Sequence, residues 1–109
     1  CQIAGSHRFI DVLRKYRMDI WLSGHSHFPN WMPGMHGRNE GLRGTFFIDL
    51  GSIRKDFLTD VESRFLFFEQ GSSQAILYYR NHEKTEFGGS ALIQLDQPFF
   101  APAESWTSD

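Results

Sequence analysis

Asp19-Ile20-Trp21-Leu22-Ser23-Gly24-His25-Ser26-His27 is an apolar run that ends on a glycine and then delivers two imidazoles. Its Ile, Trp and Leu favour extended backbone, so residues 19–23 are expected to form a strand. Gly24, lacking a Cβ, lets the chain turn sharply at the mouth of that strand. Residues i and i+2 of extended backbone project to the same side, which allows His25 and His27 to reach one metal cluster. Neutral imidazole is the commonest protein ligand for zinc, iron and similar ions. An isolated His-x-His also describes two histidines in a turn; the strand and the glycine set this pair apart.

Outward from this stretch the pattern is that of an α/β chain. Upstream, Ser6 is placed to cap a helix, Phe9, Val12, Leu13 and Tyr16 fall on one face, and Arg14, Lys15 and Arg17 suit the negative end of its dipole. A helix feeding a strand that carries function at its C-terminal end is an α/β arrangement. Downstream, the period disappears between Phe28 and Gly44, where Pro29, Pro33, Gly34, Gly37, Gly41 and Gly44 punctuate a long loop of the kind that accompanies a ligand site. Strands are then expected at 45–50, 64–69, 74–80 and 91–95, with turns at 70–73 and 81–89 and an irregular tail at 97–109. No internal repeat or second domain is visible.

The strand ending in Gly24-His25-Ser26-His27, followed by Phe46-Phe47-Ile48-Asp49-Leu50-Gly51-Ser52 as a second strand ending in Gly-Ser, resembles the last metal-binding motif of the calcineurin-like metallophosphoesterases. The resemblance runs from about Ser6 to about Leu95 and is strongest between Asp19 and Ile53. It implies the C-terminal part of a four-layer αββα sandwich and a two-metal phosphoester hydrolase. His25 would bind one metal and His27 its neighbour, with Gly24, Gly51 and Ser52 forming the turns. The ions would be two divalent or trivalent metals, Mn, Fe, Zn or Co, and the substrate a phosphoester. The family's earlier ligand motifs include Asp-x-His and Gly-Asp, and neither occurs in this chain. The chain is therefore expected to be the C-terminal piece of a larger domain, whose N-terminal part supplies the remaining ligands. Two other readings stay open: another His-x-His metal hydrolase, such as an amidohydrolase or cupin, or a noncatalytic β-rich binding module.

Other polar residues are weighed beside this motif. The resemblance makes His36, inside the loop, a candidate contact for phosphate or leaving group. Arg54, just after the Gly51-Ser52 turn, carries a guanidinium fork that suits phosphate oxygens, and Lys55 could add charge there. Asp49 could orient a ligating imidazole. Trp31, Met32 and Met35 would line a substrate mouth or pack beneath the loop. His7 and His82 are read as solvated. With 109 residues and 40% hydrophobic content, the chain has material for a core. A net charge of -2 with no block of like charges argues against a nucleic-acid or membrane surface. Its one cysteine excludes an internal disulfide, and no apolar run is long enough to cross a bilayer.

Overall fold

Two three-stranded sheets and one helix make up the regular structure of residues 5–24, 33–55 and 59–102, the residues described by the computed structural model. The first sheet joins β1 (Ile20–Ser23), β2 (His36–Asn39) and β3 (Thr45–Asp49) in the order β1-β3-β2. β1 runs parallel to β3 with Ile20 opposite Phe46 and Ser23 opposite Asp49, and β2 runs antiparallel to β3 with His36 opposite Ile48. The second sheet is an antiparallel meander of β4 (Glu62–Phe68), β5 (Gln74–Asn81) and β6 (Glu86–Gln94). The class is mixed α/β, with mostly antiparallel pairing.

The core lies between the sheets. Phe46 and Ile48 of β3 meet Ala75 and Leu77 of β5, Ile93 of β6, and Leu95 just beyond it. Ile48, Leu77 and Ile93 are fully buried, each contributing roughly 1.5–3 kcal/mol of burial free energy. Strand alternation then sends every second residue of the meander outward. Phe65, Phe67, Tyr78, Phe87 and Leu92 form an outer face, on which Phe67 is 51% and Phe65 39% exposed. Phe46, by contrast, is 7% exposed and belongs to the core.

Several local expectations are corrected. The helix α1 spans Ser6–Lys15, with Gly5 as its N-cap at φ 78° and no side-chain cap bond, so Ser6 is the first helical residue. Its apolar stripe is only partly used: Leu13 is buried and the Phe9 ring meets Trp21 edge-on at 4.6 Å, while Val12 and Tyr16 face water. The aperiodic loop contains β2 and a short 3₁₀ turn, Glu40–Leu42. β2 has no apolar alternation because all four residues are exposed; it is held by pairing with β3. The turn expected over 81–89 closes within 82–85, and β6 begins at Glu86. Its Glu86–Ser90 half lies outside the core and carries no buried side chain to advertise a strand.

The lower end of the first sheet, where β1 and β3 begin, is tied by Arg17. Its Nη1 donates to the Arg43 carbonyl at 2.7 Å and its Nη2 to the Gln94 carbonyl at 3.2 Å. Its Nε lies 3.3 Å from Asp19 Oδ1 and 3.5 Å from Asp96 Oδ1. Arg43 Nη1 in turn donates to the Lys15 carbonyl at 2.8 Å, near the end of α1.

Candidate functional site

At the opposite end of that sheet, the parallel pairing of β1 and β3 brings the C-terminal ends of the two strands side by side. Leu50 N–H donates to the Ser23 carbonyl at 2.7 Å, so the backbone entering Gly24 is hydrogen-bonded to the backbone entering Gly51. The second turn is shaped by Asp49, whose Oδ1 accepts the Gly51 N–H at 2.9 Å, with Gly51 at φ 67° where a side chain would be strained. Ser52 Oγ accepts the Arg54 N–H at 3.0 Å, and the Ser52 carbonyl accepts the Glu62 N–H at 3.0 Å. The turn after β3 is thereby fastened to the start of β4. Because β2 is antiparallel to β3, its first residue, His36, arrives at this same end.

His36 is met there by Tyr79 of the second sheet, with Arg64 near enough for its charge to act on the imidazole. The Tyr79 hydroxyl is hydrogen-bonded to His36 Nδ1, and the two rings lie 5.4 Å apart between centroids. His36 also stacks over Phe46 at 5.9 Å. Arg64, opposite Tyr79 in the β4–β5 register, lays its guanidinium over the Tyr79 ring with Cζ 4.6 Å from the centroid. Its three side-chain nitrogens are closed to solvent, and none has a hydrogen-bond partner among the described residues. Burial lowers the pKa of Arg64 from its ordinary value, opposed by the Tyr79 hydroxyl and by the carboxylates of Glu62 and Asp49. Burial, and then the positive charge of Arg64, hold the His36 imidazole below its ordinary pKa. Burial raises the Tyr79 phenol, with Arg64 pulling the other way.

A bulge in β6 shapes this corner. The register shifts between Tyr78, opposite Ser90, and Tyr79, opposite Gly88, which leaves Gly89 as the extra residue. Gly89 has φ 49°, and a Cβ there would stand 3.1 Å from the Tyr79 ring. Absence of a side chain at position 89 is thus what leaves room for Tyr79 to lean toward His36.

The sequence-predicted residues divide clearly. Gly24, Gly51, Ser52 and His36 converge on one edge. His25 and His27, with Trp31 and Met32, lie outside the described residues, as does the 103–109 part of the irregular tail. Asp49 takes a turn-forming hydrogen bond to Gly51, while Met35 is buried as packing. Lys55 is paired with Glu83 at 3.0 Å. Arg54 is exposed beside Ser52. His7 is exposed, and His82 Nε2 is 2.7 Å from Ser63 Oγ in an exposed turn. Arg64 and Tyr79 were not singled out by the sequence reading. The available signal was parity: Glu62, Arg64 and Leu66 share the inward face of β4, where a charge is unexpected.

Among the described residues, no three His, Cys, Asp or Glu side chains gather as a metal-binding group. The two imidazoles that follow Gly24 in the sequence have donor chemistry suited to a first-row transition metal, and an ion held by them would need further donors. A groove of about 510 Å³ on the outer face of the meander is lined by Phe67, Ile76, Tyr78 and Phe87. It lies on the far side of the second sheet from His36 and has no acid–base pair to do chemistry. No protein-family model, curated protein or solved structure matches this chain.

Proposed function

We propose that this chain carries the C-terminal ligand turn of a metal-dependent phosphoester hydrolase with a calcineurin-like sandwich fold. The observation that supports the reading best is the parallel register of β1 and β3. It sets Gly24 and Gly51-Ser52 side by side, as two turns serving one site require. β1 is also the edge strand of its sheet among the described residues, so further strands of a larger domain could add beside it. In this reading His25 and His27 hold the metals, Gly24 and Gly51 give the two turns their path, and Asp49 fixes the second turn through the Gly51 N–H. Two bound ions would supply Lewis-acid polarisation of a phosphoryl oxygen and a water acidic enough to attack phosphorus near neutral pH. His36, held by Tyr79 at the same edge, can offer a ring N–H to a phosphoryl or leaving-group oxygen.

The aromatic outer face of the meander favours the noncatalytic binding-module reading. A partner sheet within a larger sandwich accounts for the same face. The two are separated in the complete gene product by assaying a chromogenic phosphoester with and without a chelator. Turnover that is lost on chelation and restored by Mn²⁺ or Zn²⁺ is the expected result. A purified, folded protein with neither bound metal nor turnover under any of these metals would exclude the hydrolase.

A further inference from the structure

A guanidinium presents five N–H donors, and leaving them unmet away from water is costly. Among the described residues Arg64 does this at the edge where the ends of β1 and β3 and His36 converge. Its neighbours explain how the cation is tolerated: the Tyr79 ring lies under it and the Glu62 and Asp49 carboxylates act on it, yet none of these meets its N–H groups with a hydrogen bond. Arg17 at the other end of the same sheet satisfies its fork with two backbone carbonyls, so the chain has a ready way to use an arginine for structure. Arg64 is held differently. Its fork needs an acceptor that the described residues do not supply, and a tetrahedral oxyanion with two adjacent oxygens matches it bidentately.

We propose that Arg64 is the oxyanion receptor of this edge, its fork engaging two nonbridging oxygens of a phosphoryl group while His36, steadied by Tyr79, contacts a third. The identity of the anion rests on the phosphoester reading; the receptor role rests on the unpartnered fork. Because the nitrogens are closed to water, the anion engages them when side-chain rotation brings the fork out toward His36. Among the described residues that movement breaks no hydrogen bond of Arg64, and it trades the face-on contact with Tyr79 and part of the attraction to the Glu62 and Asp49 carboxylates for the anion.

The test compares wild type, Arg64→Met and Arg64→Lys in the complete gene product, using inorganic phosphate as the probe at constant ionic strength. In Arg64→Met the melting temperature without phosphate is the baseline, since the substitution removes a cation whose fork is unmet together with its attraction to the Glu62 and Asp49 carboxylates. The phosphate-induced rise in melting temperature should be lost, and the inhibition constant for phosphate should increase by about tenfold or more. Arg64→Lys should fall between the two, since a point charge replaces a fork. For a phosphoester substrate, KM should rise more than kcat falls. Unchanged phosphate affinity in Arg64→Met would overturn the proposal, and a lower melting temperature with phosphate affinity intact would assign Arg64 a structural role instead. If phosphate binding depends on Arg64 while hydrolysis is absent with every metal, the receptor stands and the hydrolase reading falls.

Discussion

The two ends of the β1-β3-β2 sheet are each built around an arginine, and the two arginines are treated in opposite ways. At the end where β1 and β3 begin, Arg17 joins Arg43, Gln94, Asp19 and Asp96, tying α1, the 3₁₀ turn and the end of β6 into one knot. At the end where β1 and β3 finish, Arg64 sits over Tyr79 with its fork unmatched among the described residues. A fully matched charge contributes to stability; an unmatched one subtracts from it and persists where something other than stability selects it. On the proposed reading, the difference separates a structural end from a functional end of the same small sheet.

The most severe way to probe the comparison is to strike the functional end where the ligands are expected. His25→Ala or His27→Ala in the complete gene product should remove bound metal and cut turnover by more than the roughly 10–100-fold typical of losing a group that only orients a ligand. The melting temperature of the metal-free protein should stay near wild type. Elemental analysis and a chromogenic assay check this, and wild-type metal content in both variants would reassign the pair as turn histidines.

Striking the structural end should do the reverse. Arg17→Ala removes two charge-assisted bonds to backbone carbonyls from a side chain that is only 18% exposed, so a loss of about 2–3 kcal/mol in unfolding free energy is expected. Turnover per folded molecule should be unchanged. Denaturant unfolding and active-fraction kinetics measure the two quantities. A fall in turnover without a fall in stability would show that the two ends are not independent.

How far this contrast is legible in the sequence depends on what each residue has to advertise. The strand at 19–23 and the Gly51-Ser52 turn are local patterns, and β1 and β3 lie within one residue of where the apolar runs place them. β2 is invisible because His36-Gly37-Arg38-Asn39 has no apolar alternation and no residue in the core, and it exists through its neighbour. The first half of β6 is hidden for the same reason, and Gly88-Gly89 within it reads as a turn although it is a bulge. Arg17 resembles any basic residue after a helix; its partners are 26 and 77 residues away. Arg64 and Tyr79 meet His36 only once two sheets have packed, so their convergence depends on long-range contacts that no local spacing encodes.

Gly89 offers a subtler way to sharpen the comparison, because it acts on the functional end through Tyr79 alone. Gly89→Ala puts a side chain at φ 49° and a Cβ 3.1 Å from the Tyr79 ring, so the ring must shift. A stability loss of about 1–2 kcal/mol is expected from the left-handed backbone. The informative readout is the His36 imidazole, whose chemical shift and titration should change as its hydroxyl partner moves. Unaltered His36 resonances would mean that the bulge does not position Tyr79.

The smallest expected effect is a pH dependence that links the two arginines' contrast to a single titration. Burial first and the Arg64 charge second hold His36 below its ordinary pKa in the folded protein. The unfolded chain, with an ordinary imidazole near about 6.5, therefore binds more protons than the folded one as pH drops below that value. The sign follows directly: His36 costs nothing well above pH 6.5, and its destabilising contribution grows as pH falls from there toward the folded-state pKa. Arg64→Met removes the second cause and leaves the first, so the His36 titration should move upward without fully recovering its ordinary value. NMR titration of the His36 ring in wild type and Arg64→Met, paired with melting temperatures at pH 8 and 5.5 for His36→Gln, measures both halves. Arg17→Ala should leave that titration where it is. A His36 pKa that ignores Arg64 would place the guanidinium charge too far from the imidazole for the two to form one functional end.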